Sequence, residues 1–426
     1  MRFLALALWL LLCAPAHAQY NCGIGLANTL GIPGLSCQTS LDYSLLGPTL
    51  QSGFVFARAT SKTCWNGTAL VTVGSGVPCF EAAGGPLGGY GLLLEGQFQN
   101  FFLQSGFVSG WLPSTNTAVN ASSDTAPDGG TSYKLTGNSG VTSEYFYQAV
   151  SFISGSKYLV QVFAKPIGSN SFAITSFTQS GHARFTLSGA GSLGAIDGIV
   201  ASSGIQLLSS GWYFCWAIMT ASSTASNTVG FQNLLGGYVG DNWSIWGAQI
   251  GLSSIAAPTS YVPTTTTAVT RAADSLSLPA SAVPWINPPA GYTVAASLDT
   301  LATGAQVGTG GLIEAYQDGN NYDLAVAASG SGLYFQKIIG GVTQQVFSST
   351  LSAANHLIAY ADNGTVVTGN LDGSVVTTPS NPGTLNLSNF YFGNVQSGSY
   401  PYPIHLHRLR LWGYPMNSTA LGGLAQ

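Results

Sequence analysis

Charge is what this sequence has least of. Of its 426 residues only 6% are Asp, Glu, Lys or Arg, against ~25% in an ordinary globular protein, and the formal net charge is −4. Nucleic-acid binding needs Lys and Arg gathered to neutralise phosphates. Here Arg58, Lys62, Lys134, Lys157, Lys165, Arg184 and Lys337 are scattered, which excludes a nucleic-acid partner. The one compact basic group, His405, His407, Arg408 and Arg410, falls in an alternating segment and reads as the polar face of a strand. Low charge does not mean disorder, because 46% of residues are hydrophobic and Gly, Ser and Thr stand where charges would be.

Long apolar runs are missing beyond the start of the chain, so no segment after residue 18 is expected to span a bilayer. The first eighteen residues, MRFLALALWLLLCAPAHA, have Arg2, an apolar run from Phe3 to Leu12 and small residues before Ala18. This pattern predicts a secretory signal peptide over 1–18 and a periplasmic or extracellular protein. Leu12 is the wrong residue before Cys13 for lipoprotein processing. Cysteine is sparse too: six in all. In an oxidising compartment the spacing favours two local bridges, Cys22–Cys37 around a Gly/Pro-rich loop and Cys64–Cys79 closing a hairpin. Each would be worth about 3 kcal/mol. Other pairings are open to the same residues. Cys215, in the apolar string GWYFCWAIM, reads as a buried thiol.

Helical periodicity is nearly absent. FVFARAT, ALVTV, YLVQVFAK, SFAITSF, GWYFCWAIM, YTVAASL, GLIEAY, YDLAVAA, GLYFQKI, HLIAYA and HRLRLWG have strand character and are separated by Gly, Ser, Asn and Asp turns, a rhythm of sandwiches rather than βαβ units. One short helix is expected near the C-terminus, capped by Asn417 or Ser418 and carrying Leu421 and Leu424. YVPTTTTAVT marks a domain boundary, since Thr favours extended backbone and Pro263 forbids a regular central strand.

Catalytic patterns are also missing. No Glu-x-Asp-x-x-Glu string supplies the paired carboxylates of glycoside hydrolysis, and no G-x-S-x-G joins a strand to a helix. Glu314 and Asp318 in EAYQD share a strand face and read as strand-end and turn chemistry, while Glu95 in GLLLEG is expected to accept bonds from backbone or from Arg271. His182, His356, His405 and His407 lack metal-ligand spacing apart from the last pair, which reads as ordinary sheet surface. DGNNYD, 318–323, lacks the alternating acids and distal Glu of an EF-hand and reads as a turn. No catalytic residue, metal or cofactor is expected.

Sugar recognition asks instead for flat aromatic platforms among amides and hydroxyls, and 11% of residues are aromatic. Trp212, Trp216, Trp243, Trp246 and Phe163 are assigned to the core. Turn-borne aromatics are the candidate glycan contacts: Trp65, Trp111, Trp285 and Tyr292, together with Tyr316, Tyr322, Tyr400 and Tyr402. Arg271 and Asp274 are expected to tie two sandwiches together, through an ion pair or backbone contacts.

Several strings fall in the order of a known family: FARATSKTCWNGTALVTVGSGVPCF, GLLLEGQFQN, Trp111 with TAPDGGTSYKL, YLVQVFAK, SSGWYFCW and WGAQIGLSSIAAPTSYVPTTTTAVTRAAD. Over about residues 53–274 the chain thereby resembles a phage head-spike or tail-fibre domain, a jelly-roll similar to carbohydrate-binding modules. It departs from that pattern at Gly96 and Phe98, where relatives carry Pro and Arg, and at Phe214, where Arg is common. From Asp274 onward, DGNNYDLAVAA, HLIAYADNGTVVTGNLDG and IHLHRLRLWGYPMNSTALGGL resemble a concanavalin A-like or laminin G-like lectin sandwich. Phage virion proteins assemble in the cytoplasm, so the export signal points to a module acquired by a secreted protein.

The expectation is an all-β protein: a signal peptide (1–18), a small N-terminal β region with two local disulfides (19–97), a carbohydrate-binding-module-like jelly-roll (98–271) and a concanavalin A-like lectin sandwich (272–426). The expected function is non-catalytic binding of cell-surface or extracellular glycans, as an adhesin does. The alternatives are a fibre component that self-associates into homo-oligomers and a polysaccharide-degrading enzyme.

Overall fold

A computed structural model describes residues 40–426 apart from 116, 138–143, 235–238, 254, 256, 284, 287–290, 303–308, 329–331, 397, 399–400 and 425–426. The expected signal peptide and the expected Cys22–Cys37 bridge lie outside the described residues. Among the described residues the chain is nearly all β. The exceptions are a 3-10 turn, Ala280–Ala282, and one short helix, Ser418–Gly422. That helix is capped by the Asn417 side chain, which accepts from the Ala420 N–H at 2.9 Å. Its Leu421 is buried against Ala295, Leu357, Ala359 and Ala361, so a helix too short to be stable alone is held by packing. No helix of the described residues is long and apolar enough to cross a membrane.

The strands build two sandwiches. In the first, one six-stranded sheet runs Val200–Leu207, Tyr213–Thr220, Lys157–Pro166, Gly240–Leu252, Thr131–Gly137, Thr117–Thr125. The facing sheet runs Ser192–Gly198, Gly181–Thr186, Ser171–Ser176, Ala225–Asn233, Glu144–Phe152, Leu112–Pro113. Alternation explains the pairing. In Glu144–Phe152, Phe146, Val150 and Phe152 point into the core, while Tyr145 and Tyr147 stand on the other face half-buried.

In the second sandwich, one sheet runs Val55–Ala57, Ser275–Pro279, Asn389–Phe392, Gly310–Asp318, Asn321–Ala328, Gly332–Ile339, Val342–Phe347. The other runs Ser374–Thr377, Val367–Leu371, Asn355–Asp362, Tyr292–Thr300, Ile404–Trp412, Gly91–Leu94, Cys79–Glu81, with Ser40–Ser44 also on Ile404–Trp412. The core between them is filled by Leu278, Val294, Phe335, Ile358, Phe390 and Leu406 among others. Gly369 makes room for one of these rings, since a Cβ there would stand 2.1 Å from Phe335.

The segment 19–97, expected as a region of its own, is shared out where it is described. Ser40–Ser44, Cys79–Glu81 and Gly91–Leu94 complete one sheet of the second sandwich and Val55–Ala57 edges the other. The hairpin Lys62–Trp65/Leu70–Val73, clipped by the Cys64–Cys79 disulfide, packs on the outer face of the first sandwich against Phe163, Trp212, Phe214 and Trp246. Phe214, where the phage-type pattern carries Arg, lies 1% exposed beside Phe163. At Gly96 any side chain would meet Pro401, 2.8 Å from a Cβ.

The Thr-rich ribbon is a strap rather than a free linker. Tyr261, Val262 and Thr264 are buried; Thr63 Oγ1 donates to the Tyr261 carbonyl at 2.8 Å, Asn100 Nδ2 to that of Val262 at 2.8 Å, and Gln104 N to that of Thr265 at 2.7 Å. Val269–Arg271 then pairs with Phe98–Asn100.

Candidate functional site

The open face of the seven-stranded sheet carries a cavity of about 340 Å³, the size of small-molecule sites. Its floor follows from the pleat of three neighbouring strands. Ala315, Ala325 and Phe335 point into the core, so their neighbours Glu314, Tyr316, Tyr322, Leu324 and Gln336 face outward and line the cavity. Tyr316 and Tyr322 are cross-strand partners with ring centroids 6.5 Å apart. Tyr391 meets Tyr316 edge-on at 6.0 Å. Val395 and Gln396 close one side.

Glu314 is the charged group of this cavity. Only 4% of its surface is exposed, and its Oε2 accepts from the Gln396 N–H at 2.6 Å. Burial pushes its carboxyl up to about 7, with the Gln396 N–H acting the other way. Near neutral pH the group is divided between an acid that donates and a carboxylate that accepts. Among the described residues lining the cavity it is the one carboxylate. Asp318, expected to share its face, sits at the strand end and accepts from Asn320 N and Asn321 Nδ2, each at 2.9 Å, as turn residues do.

The other candidate aromatics fall elsewhere. Four are buried and present no platform. Trp65, 0% exposed, lies in the cluster beneath the disulfide hairpin. Trp111 is buried among Phe102, Phe107, Phe146 and Phe231 and donates its indole N–H to Gln104 O at 3.0 Å. Tyr292 donates its hydroxyl to Asp323, and Tyr402 to the Ala302 carbonyl at 2.6 Å. Trp285 is half-buried against the second core. Tyr400 lies outside the described residues. Position in a turn was a poor guide, because Trp65 and Tyr292 lie at strand ends, while Trp111 and Tyr402 fold inward where a backbone carbonyl takes their polar tip. Tyr145, Tyr147 and Phe177, not singled out from sequence, form a half-buried cluster on the first sandwich with centroids 4.7 to 5.9 Å apart. The alternation Tyr145–Phe146–Tyr147 was the available signal.

Arg271 and Asp274 do not pair with each other. Both belong to a buried chain of five charges, with Arg271 at one end and Asp274 next to the other. Arg58 Nη1 lies 3.0 Å from Asp274, Lys62 Nζ lies 2.8 Å from Asp274 and 3.1 Å from Glu95, and Arg271 Nη1 lies 2.8 Å from Glu95. Burial alone would raise the Glu95 carboxyl; Arg271, Lys62 and the Thr259 and Ser260 donors outweigh it and hold the group well below the usual carboxylate range. His405 takes Glu81 at 3.0 Å and His407 takes Asp299 at 3.0 Å, so each has its own carboxylate. The Cys215 thiol is buried, and burial pushes it up, away from nucleophilic use.

No protein-family model and no curated protein matches the chain. Solved structures with partial similarity include the carbohydrate-binding module CBM40 of the Ruminococcus gnavus IT-sialidase bound to alpha2,3 sialyllactose: 12% identity, TM-score 0.28, covering 33% of this chain and 85% of that one. The tandem CBM22 domains of Paenibacillus barcinonensis Xyn10C share 10% identity at a TM-score of 0.25, over 78% of this chain and 99% of theirs. Domains LG4-5 of the mouse laminin alpha1 chain share 9% at 0.25, over 79% and 94%. At TM-scores this low the function has to be read from the residues of the chain itself.

Proposed function

We propose that this is a secreted, non-catalytic glycan-binding protein whose second sandwich takes a saccharide in the tyrosine-walled cavity of its open sheet. The observation that carries the proposal is the juxtaposition of Tyr316 and Tyr322 with Glu314 and Gln336 around one cavity. Tyrosine rings offer apolar faces to the C–H faces of a pyranose, each worth about 1 kcal/mol, and the carboxyl and amide groups reach ring hydroxyls. Such a shallow site binds weakly alone and gains by multivalent display. Binding is favoured over hydrolysis because glycoside cleavage employs two carboxyl groups about 5–10 Å apart, while Glu314 is the one carboxylate among the described lining residues. The leader-like start, the Cys64–Cys79 disulfide and the order of phage-type strings support an exported protein built on an acquired spike or fibre module.

The test is a glycan array on the mature protein followed by calorimetry with the best glycan. Tyr316→Ala and Tyr322→Ala should each weaken binding about tenfold, roughly 1.4 kcal/mol, while Tyr145→Ala on the first sandwich leaves it unchanged. A protein that binds no glycan, or whose affinity survives the Tyr316/Tyr322 double substitution, is not the one proposed.

A further inference from the structure

The interior of the second sandwich holds a polar cluster that glycan binding leaves unused. Four side chains meet there, two from each sheet. Asp323 and Lys337 are cross-strand partners in the seven-stranded sheet, and Tyr292 and Asp362 are partners in the eight-stranded one. The contacts between the pairs run across the core. Lys337 Nζ lies 2.7 Å from each carboxylate oxygen of Asp362, and Tyr292 donates its hydroxyl to Asp323 Oδ2 at 2.5 Å. None of the four is more than 2% exposed. Tyr360, Phe390 and Phe335 pack around them as an aromatic wall.

Charge decides the state of this cluster. One ammonium and two carboxylates, all ionised, would leave a net negative charge in a dry interior, which is far costlier than keeping a proton. The proton belongs on Asp323. Its Oδ1 is buried with no N–H or O–H donor of the protein to accept from, so a hydrogen of its own is what that oxygen has room for. Burial first, then the charge of Asp362, raises the Asp323 carboxyl well above the usual carboxylate range. The result is an amine and a carboxyl group in contact, beside a neutral acid, with water excluded.

We propose that Lys337 and Asp362 condense to an isopeptide bond that staples the two sheets together, with Asp323 as the proton shuttle. In the dry site the Lys337 ammonium passes a proton to the Asp362 carboxylate, leaving a neutral amine and a neutral acid. The Asp362 carboxyl turns to present its face, the Nζ lone pair attacks Cγ, and Asp323 donates its proton to the carbonyl oxygen. The Asp323 carboxylate then removes a proton from nitrogen and delivers it to the departing hydroxyl, and as the amide carbonyl forms it takes back the proton left on the other oxygen. One Nζ–Cγ bond forms, one Cγ–O bond breaks, one water leaves and Asp323 recovers its proton, so no oxidant or reductant is needed. The neutral amide also removes a buried ion pair and its desolvation cost. The new bond would join the strands Gly332–Ile339 and Asn355–Asp362 of opposite sheets. A sandwich stapled in this way resists being pulled apart, which suits a protein that holds surfaces.

Mass spectrometry of the purified full chain tests this directly. The expected result is a protein lighter than its sequence, with the disulfide counted, by one water, and a branched proteolytic peptide joining residues 337 and 362. Asp323→Asn should fold with the same far-UV circular dichroism yet keep the water and yield only linear peptides, and Lys337→Met should do the same. Folded wild-type protein at its full linear mass overturns the proposal even if neither variant folds. So does a branched peptide that persists in Asp323→Asn.

Discussion

At the scale of single residues, Glu314 makes the sharpest prediction. Its carboxyl is raised to about 7 by burial, so the fold favours the protonated form. Its contribution to stability is complete below the ordinary value of 4.5 and is lost as pH rises through about 7. Denaturant unfolding of the wild type should therefore weaken over that window by up to about 3 kcal/mol relative to Glu314→Gln, whose curve stays flat there. A ligand hydroxyl meets a donor below the window and an acceptor above it, so glycan affinity should also change across it. Spacing alone placed Glu314 and Asp318 on one strand face, with Tyr316 between them. The depth of Glu314 was hidden, because it depends on Gln396, which arrives from a distant segment.

Among elements, strand spacing around large rings sets what can be substituted. Val367–Leu371 crosses the core side of Phe335, and Gly369 is the position of closest approach. Gly369→Ala should lower stability by about 1–3 kcal/mol by overpacking, read from the shift of the urea midpoint with unchanged slope. Phe335→Leu in the same background should restore part of the loss. The strands themselves were legible: YLVQVFAK, GWYFCWAIM, GLYFQKI and HLIAYA all form strands, because alternation is a local property of a pleated backbone. Sheet membership was not legible. Val55–Ala57 finds its partner more than two hundred residues away in Ser275–Pro279, and no local pattern specifies such a pairing.

For the whole molecule, the charged chain from Arg58 through Asp274, Lys62 and Glu95 to Arg271 links the strap, the disulfide hairpin and both sandwiches. Removing one partner leaves buried charge uncompensated, at a cost of about 3–5 kcal/mol. Asp274→Ala should thus destabilise the protein by that amount and separate one unfolding transition into two, followed by calorimetry. Because the Glu95 carboxyl is held down, its contribution is present above the ordinary 4.5 and is lost as pH falls below it. Acid should loosen this junction before it opens either core.

The sequence alone determined that this protein is layered β structure with little charge, that Cys64–Cys79 is a favoured local bridge, and that tyrosines flank the DGNN turn. Each of these rests on neighbours in the chain, where backbone geometry acts directly. Tertiary structure decided which aromatics are covered, that Arg271 takes Glu95 rather than Asp274, and that Lys337 meets Asp362 across a dry core. In each case the partner comes from another strand or another layer, and the free energy that selects it is that of burying polar and apolar surface together, which no short stretch of sequence contains.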